Sequence, residues 1–344
     1  MPSTTRHPQA PTGKAAPKSP SAAPRAFLWL LVATCLTTYA LIIVGGIVRT
    51  TGSGDACPDW PTCHGQLLPP LSGHVLIEFS HRLLASVVGL LVLAVALAAW
   101  RSQRRVPVVF WGALLALALV VVQVVLGGVT VLSDLHSGMV MAHLATASAL
   151  LATLLVVTVA ALGARAGTAG GASFRNLAAV AALAVLALML SGSYVSGSGA
   201  GLAFRDWPLF DGRLMPEGGR LAMIHATHRF AALLVGLGLA HVTAKAWRTQ
   251  RANRPLLIGT TLALALYVAQ AFVGAANVWT LLQPAASAAH LALAMAIWAI
   301  LVVVATLAHL AGRPAALDVP LKAAAAPGAT AAVPGATIPA RGRS

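Results

Sequence analysis

Four histidines stand at a spacing that invites metal chemistry. His81 and His228 are 147 residues apart, and so are His143 and His290. All four lie in long runs of Leu, Ala and Val. An ionisable side chain inside a bilayer is costly and is retained where it faces a bundle interior and a partner. A single such histidine is often spent on a hydrogen bond to a neighbouring helix. Four at one common offset argue for a shared task. Two imidazoles per set, with no carboxylate or thiolate at the same depth in the second set, suit axial ligation of a haem iron. Zinc would ask for three or four protein ligands.

Three further residues carry reactive groups in the first set only. Glu78 precedes His81 by three positions, so both project from one helix face. A carboxylate at a haem edge in low dielectric can take a proton, or stabilise a developing cation, during C–H oxidation. Its plainer use is as a carboxylate snorkelling at the membrane rim. Cys57 and Cys63 flank a polar loop and are either a staple closing a small ring or a redox-active pair. Under the 147-residue offset they fall on Phe204 and Phe210, and Glu78 falls on His225. The first set is therefore the expected reaction site and the second a spectator. Arg82 and Arg229, each next to a histidine, are expected to meet haem propionates or lipid phosphates. Cys63-His64 resembles the end of a c-type haem attachment site, but its partner cysteine is six positions back rather than three, which argues against covalent attachment.

These groups need elements to hold them. With 58% hydrophobic and 9% charged residues in a chain of 344, the composition excludes a water-soluble domain. Eight apolar stretches reach the length of about 20 residues that a bilayer requires: 27–48, 76–100, 107–132, 139–163, 176–196, 222–246, 255–279 and 285–312. The expected fold is an all-α integral membrane protein with eight transmembrane helices, arranged as two tandem duplicated four-helix bundles. The duplication rests on one offset that carries Asp59-Trp60-Pro61 to Asp206-Trp207-Pro208, Gln123 to Gln270, Gly127 to Gly274 and Ala142-His143-Leu144 to Ala289-His290-Leu291. An even number of spans per unit makes the repeats parallel. In an up-down bundle the second and fourth helices are diagonal, so His81 meets His143 across the core and His228 meets His290. The expected layout is a tail over 1–26, a bundle over 27–163, a linker over 164–174, a second bundle over 175–312 and a tail over 313–344. Both tails, rich in Pro, Ala, Ser or Gly, read as disordered.

The formal charge of +15 suggests nucleic acid until its placement is followed. Seventeen of the 23 basic residues fall on one side of the helix ladder, and seven of the eight acids on the other. That is the positive-inside pattern, with both termini cytoplasmic in the cell membrane and no nucleic-acid partner.

The stretches "GGIVRTTGSG", "CPDWPTC", "IEFSHRLLA", "MAHLATA", "HATHRFAA" and "AAHLALA", taken together over about 27–312, resemble the haem A synthase family. The resemblance implies oxidation of the C8 methyl of haem O to a formyl group, giving haem A for terminal cytochrome oxidase. It implies a substrate haem between His81 and His143 and a haem b between His228 and His290. It makes Glu78 catalytic and Cys57/Cys63 the outer-loop pair. It also implies an electron donor and the farnesyltransferase that makes haem O as partners. The competing reading is a non-catalytic dihaem cytochrome b passing electrons from quinol, which two bis-histidine sites alone would serve equally.

Overall fold

A computed structural model describes residues 23–163 and 171–310. Among the described residues there are eight long helices and no strand. They are α1 (Arg25–Thr50), α2 (Gly73–Ser102), α3 (Pro107–Leu132), α4 (Ser137–Ala161), α5 (Ala172–Gly197), α6 (Arg220–Thr249), α7 (Arg254–Trp279) and α8 (Pro284–Leu310). The shortest has 25 residues and spans about 37 Å at 1.5 Å per residue, more than a bilayer core of about 30 Å. Each closes its backbone hydrogen bonds within itself, as hydrocarbon demands. Pro107 and Pro255 occupy first-turn positions where a missing N–H is harmless.

The helices run further than hydropathy alone suggests. α2 and α6 have 30 residues each and begin at Gly73 and Arg220, ahead of the apolar windows at 76 and 222. Polar residues such as His74 stop a hydropathy run, but outside the hydrocarbon nothing stops the backbone from continuing its helix. Similarly, α5 starts at Ala172, inside the segment expected to be linker. The tails expected at 1–26 and 313–344, apart from 23–26, and the linker over 164–170 lie outside the described residues.

In the first half α1 packs on α2 and α4, and α3 packs on α2 and α4, while α2 and α4 do not touch. The second half repeats this with α5 to α8, and the halves meet through α1, α4, α5 and α8. The loops after α1 and α5 lie on one face, called here the loop face. Toward the opposite face each half is closed by its own apolar core. Phe27, Val95, Ala99, Val157 and Ala161 do this in the first half, and Phe174, Val242, Ala246, Val304 and Ala308 in the second. Every one of these pairs keeps the 147-residue offset. A third core, including Val92, Leu154, Met189, Trp298 and Leu301, runs between the halves. Leu90, Leu183 and Leu234 are exposed, which in a bilayer is contact with the solvent that suits them. Exposed Trp29, Trp100, Trp111 and Trp247 toward one face, and exposed Trp60 and Trp279 toward the other, form the girdles expected at membrane interfaces.

Candidate functional site

His81 and His228 each lie eight residues into their helices, and His143 and His290 each lie six residues in. All four therefore sit in the half of the bundle nearest the loop face. Each imidazole rests on a glycine of the helix before it. A Cβ on Gly45 would come 3.0 Å from His81 Cε1, on Gly192 3.2 Å from His228, on Gly127 3.4 Å from His143 and on Gly274 3.0 Å from His290. The supporting glycines repeat at the same offset as the histidines. Gln123 Nε2 donates to the His143 carbonyl at 3.0 Å, and Gln270 Nε2 to the His290 carbonyl at 2.8 Å. These glutamines hold the backbone that presents each ring.

Ring orientation follows from the nitrogens. Nδ1 of His81, His143 and His290 is buried with no hydrogen-bond partner. Nδ1 of His228 lies 2.7 Å from Ser191 Oγ. Each ring as a whole is only partly buried, so Nε2 is the nitrogen left accessible. His81 and His143 lie within electrostatic range of each other, as do His228 and His290. Among the described residues no group of three or more His, Cys, Asp or Glu forms a metal cage. The donor set is thus two accessible imidazole nitrogens per bundle. That fits a six-coordinate haem iron and does not fit a three- or four-ligand zinc site. The Ser191 contact is the kind of outer-shell bond that fixes a ligating imidazole's orientation.

The loop between α1 and α2 folds back onto the start of α2. Asp59 accepts from the Thr62 hydroxyl and from the backbone N–H of His64 (2.6 Å) and Gly65 (2.9 Å). These bonds, the Thr62 contact first, hold its carboxyl down at about 2. Because the folded value lies below the ordinary one, this contribution is complete above the usual carboxylate range and is lost as pH falls toward 2. Asp206 plays the same part for the amides of Asp211 and Gly212. His64 and Gly65, like Asp211 and Gly212, take positive φ, a backbone turn that Gly, Asn, Asp and His tolerate best.

Cys57 and Cys63 form a disulfide and are fully buried. Directly beneath them Glu78, 3% exposed, accepts from Cys57 N–H at 2.7 Å and pairs with Arg82 at 2.5 Å. Arg82 also donates to the carbonyls of Cys57, Asp59 and Thr62. In the second half Arg229 donates to the carbonyls of Asp206 and Leu209 and to His225 Nε2. Its guanidinium stands over Phe204 and Phe210, whose rings meet edge-on at 4.9 Å. Phe204 also lies against His225. The three differences between the halves therefore fall in one cluster: a loop disulfide on a helix carboxylate in one half, two loop phenyl rings on a helix imidazole in the other. Both arginines hold their loops.

The sequence reading missed Gly45, Gly192 and Ser191 altogether. The signal for the glycines was present: each lies in an apolar helix interior, at the same offset as the histidines. His136 caps α4 by accepting from Gly138 N–H.

The sequence that forms these eight membrane-length helices matches a known family. Residues 28–75 and 71–302 fit the COX15-CtaA family model, described as cytochrome oxidase assembly protein. Heme A synthase of Shouchella clausii is 31% identical over 259 residues, covering 72% of this chain and 85% of that protein. Heme A synthase of Geobacillus kaustophilus is 29% identical over 276 residues, covering 77% and 86%. Heme A synthase of Bacillus licheniformis is 27% identical over 271 residues, covering 74% and 88%. The chain belongs to the haem A synthase family.

Proposed function

We propose that this protein converts haem O to haem A by oxidising the C8 methyl to a formyl group. Two hydroxylations, each passing two electrons from that carbon to an external oxidant and adding an oxygen from water or dioxygen, give a geminal diol that loses water to the aldehyde. His81 and His143 hold the substrate, and His228 and His290 hold a haem b, which supplies one-electron redox chemistry when bound. The observation that carries this reading is the contrast between two otherwise matching sites. Both have two accessible imidazoles seated on glycines, but only the first has a buried carboxylate and a disulfide one turn away on the loop side. Glu78 accepts protons, or stabilises charge, at the methyl. We further infer that the halves arose by duplication, that both termini are cytoplasmic, and that the loop face is the outer face of the cell membrane. Recurrent side-chain and backbone positions 147 residues apart support the first inference, and the asymmetry of basic residues supports the others.

The test is chemical. The chain is expressed in cells that make haem O but no haem A, and the pigments are extracted. Haem A is the expected product. Haem b alone, with haem O untouched, would leave the dihaem cytochrome reading in its place.

The glycine seats give a separate expectation. Gly274→Val puts branched carbon where a Cβ already lies 3.0 Å from His290 Cε1. Overpacking of this kind costs about 1–3 kcal/mol, and the ring must move off its axis. Haem b per purified protein should fall severalfold by absorbance. Gly238→Val, where a Cβ meets nothing within 4 Å, should leave it unchanged.

A further inference from the structure

Arg49 is a cation with no assigned task. It sits in the last turn of α1, partly buried. Among the described residues the ion pairs are Glu78–Arg82 and Glu217–Arg213, so Arg49 belongs to neither, and its guanidinium makes no hydrogen bond. Capping does not account for it. The carbonyls at the end of α1 are already taken by the amides of Thr51, Gly52 and Ser53. Those at the end of α5 are taken by Ser198, Gly199 and the Ser137 hydroxyl. A half-desolvated guanidinium with five spare donors is an expensive thing to leave unmatched.

Its position is informative. Arg49 is four residues beyond Gly45, the seat of His81, and so lies on the same face of α1 one turn nearer the loop face. Its Nη2 is 3.5 Å from the place a Cβ on Gly197 would take, and Ser137 touches the same place. Ser137 opens α4, the helix that carries His143. The guanidinium therefore stands at the mouth between the helix that seats one imidazole and the helix that bears the other. The counterpart of Arg49 in the second half is Ser196, so the feature belongs to the first bundle.

The geometry points to Arg49 as the partner of a propionate carboxylate on the haem held between His81 and His143. This rests on the haem-site reading above and adds the group that orients the substrate. Both histidines lie within about two turns of the loop face, so a charged haem edge reaches water or a cation soonest on that side. A guanidinium fork meets a carboxylate with two parallel hydrogen bonds. On the macrocycle the C8 methyl neighbours one of the two propionates. Holding that propionate at Arg49 brings the methyl into the same outer half of the site, at the level of Glu78, which is one turn above His81. Arg49 thereby sets which edge of the macrocycle faces outward, toward the level of the carboxylate.

The experiment titrates the purified full-length protein in detergent with ferric haem b and with its dimethyl ester, which keeps the ring and removes both carboxylate charges. The first-bundle phase is the absorbance change that His81→Ala abolishes. In that phase the wild type should bind the free acid at least about tenfold more tightly than the ester, the value of a charge-assisted hydrogen bond. Arg49→Gln should bind the two alike, and Arg49→Lys should keep part of the preference. The absorbance of the second-site haem checks that each variant is folded. Equal binding of acid and ester by the wild type, or a full preference retained in Arg49→Gln, overturns the assignment while leaving the site intact. If His81→Ala removes no phase at all, it is the haem-site reading that falls.

Discussion

Glu78→Gln should leave the protein in the membrane with its disulfide formed and its second-site haem spectrum normal, while haem A output falls by about 10²–10⁴-fold, the usual worth of a positioned acid–base group. Glutamine keeps the shape, and its one carbonyl oxygen can still accept from either the Cys57 N–H or Arg82, while its amide NH2 cannot accept the other bond. It neither takes a proton nor carries charge. Haem O, or a singly hydroxylated product, should accumulate in its place. Glu78→Ala is the blunter change. It strips one partner from a buried ion pair, at a cost of about 3–5 kcal/mol, and frees the loop that Arg82 and Glu78 hold together. The two variants therefore separate chemistry from architecture. If Glu78 serves only to anchor the loop, Glu78→Gln will make haem A at close to the normal rate and Glu78→Ala will lose the fold of the loop. The sister half bears on this, because His225 answers Arg229 where Glu78 answers Arg82. A loop of this shape can be anchored without a carboxylate.

The second large effect is expected at the site proposed to hold haem b. His228→Ala or His290→Ala should abolish the low-spin b-type absorbance of the reduced protein, because one imidazole cannot hold a six-coordinate low-spin iron. The inner-end core around Phe174, Val242 and Val304 is far from either ring along the helices, so the bundle should still accumulate in the membrane. A variant retaining the full absorbance would show that the iron takes its ligands elsewhere. His241 and His309, near the opposite ends of α6 and α8, are the comparison substitutions, and both should be silent.

Much of this architecture is legible in the chain because a bilayer leaves few options. Leu, Ala and Val over 25 residues make a span, and one repeated offset ties the anchors of one half to those of the other. The helix assignment and its class follow, and the alternation of spans already sets α2 diagonal to α4. The positions of the four histidines follow as well. What the chain does not display is what each polar group touches across a loop. Arg82 sits beside a histidine in sequence, yet its hydrogen bonds go to carbonyls 20 to 25 residues away. Cys57, Cys63 and Glu78 differ from their counterparts at three separate places along the chain. Only the return of the loop onto α2 makes them neighbours, and makes Phe204, Phe210 and His225 a packed substitute. Helix ends escaped for a different reason: hydropathy reports the hydrocarbon, and α2 and α6 continue beyond it.

The glycine seats have one more consequence. Gly45 and His81 belong to α1 and α2, Gly127 and His143 to α3 and α4, Gly192 and His228 to α5 and α6, and Gly274 and His290 to α7 and α8. Every imidazole is seated by the helix immediately before it, across one connection on the loop face, long for α1–α2 and α5–α6 and short for α3–α4 and α7–α8. Insertion of two consecutive helices into the bilayer therefore delivers a ligand already in its seat, with no contribution from any later segment. Four such hairpins are enough to build the chain, and whatever joins the two imidazoles of a bundle also rivets one hairpin to the next.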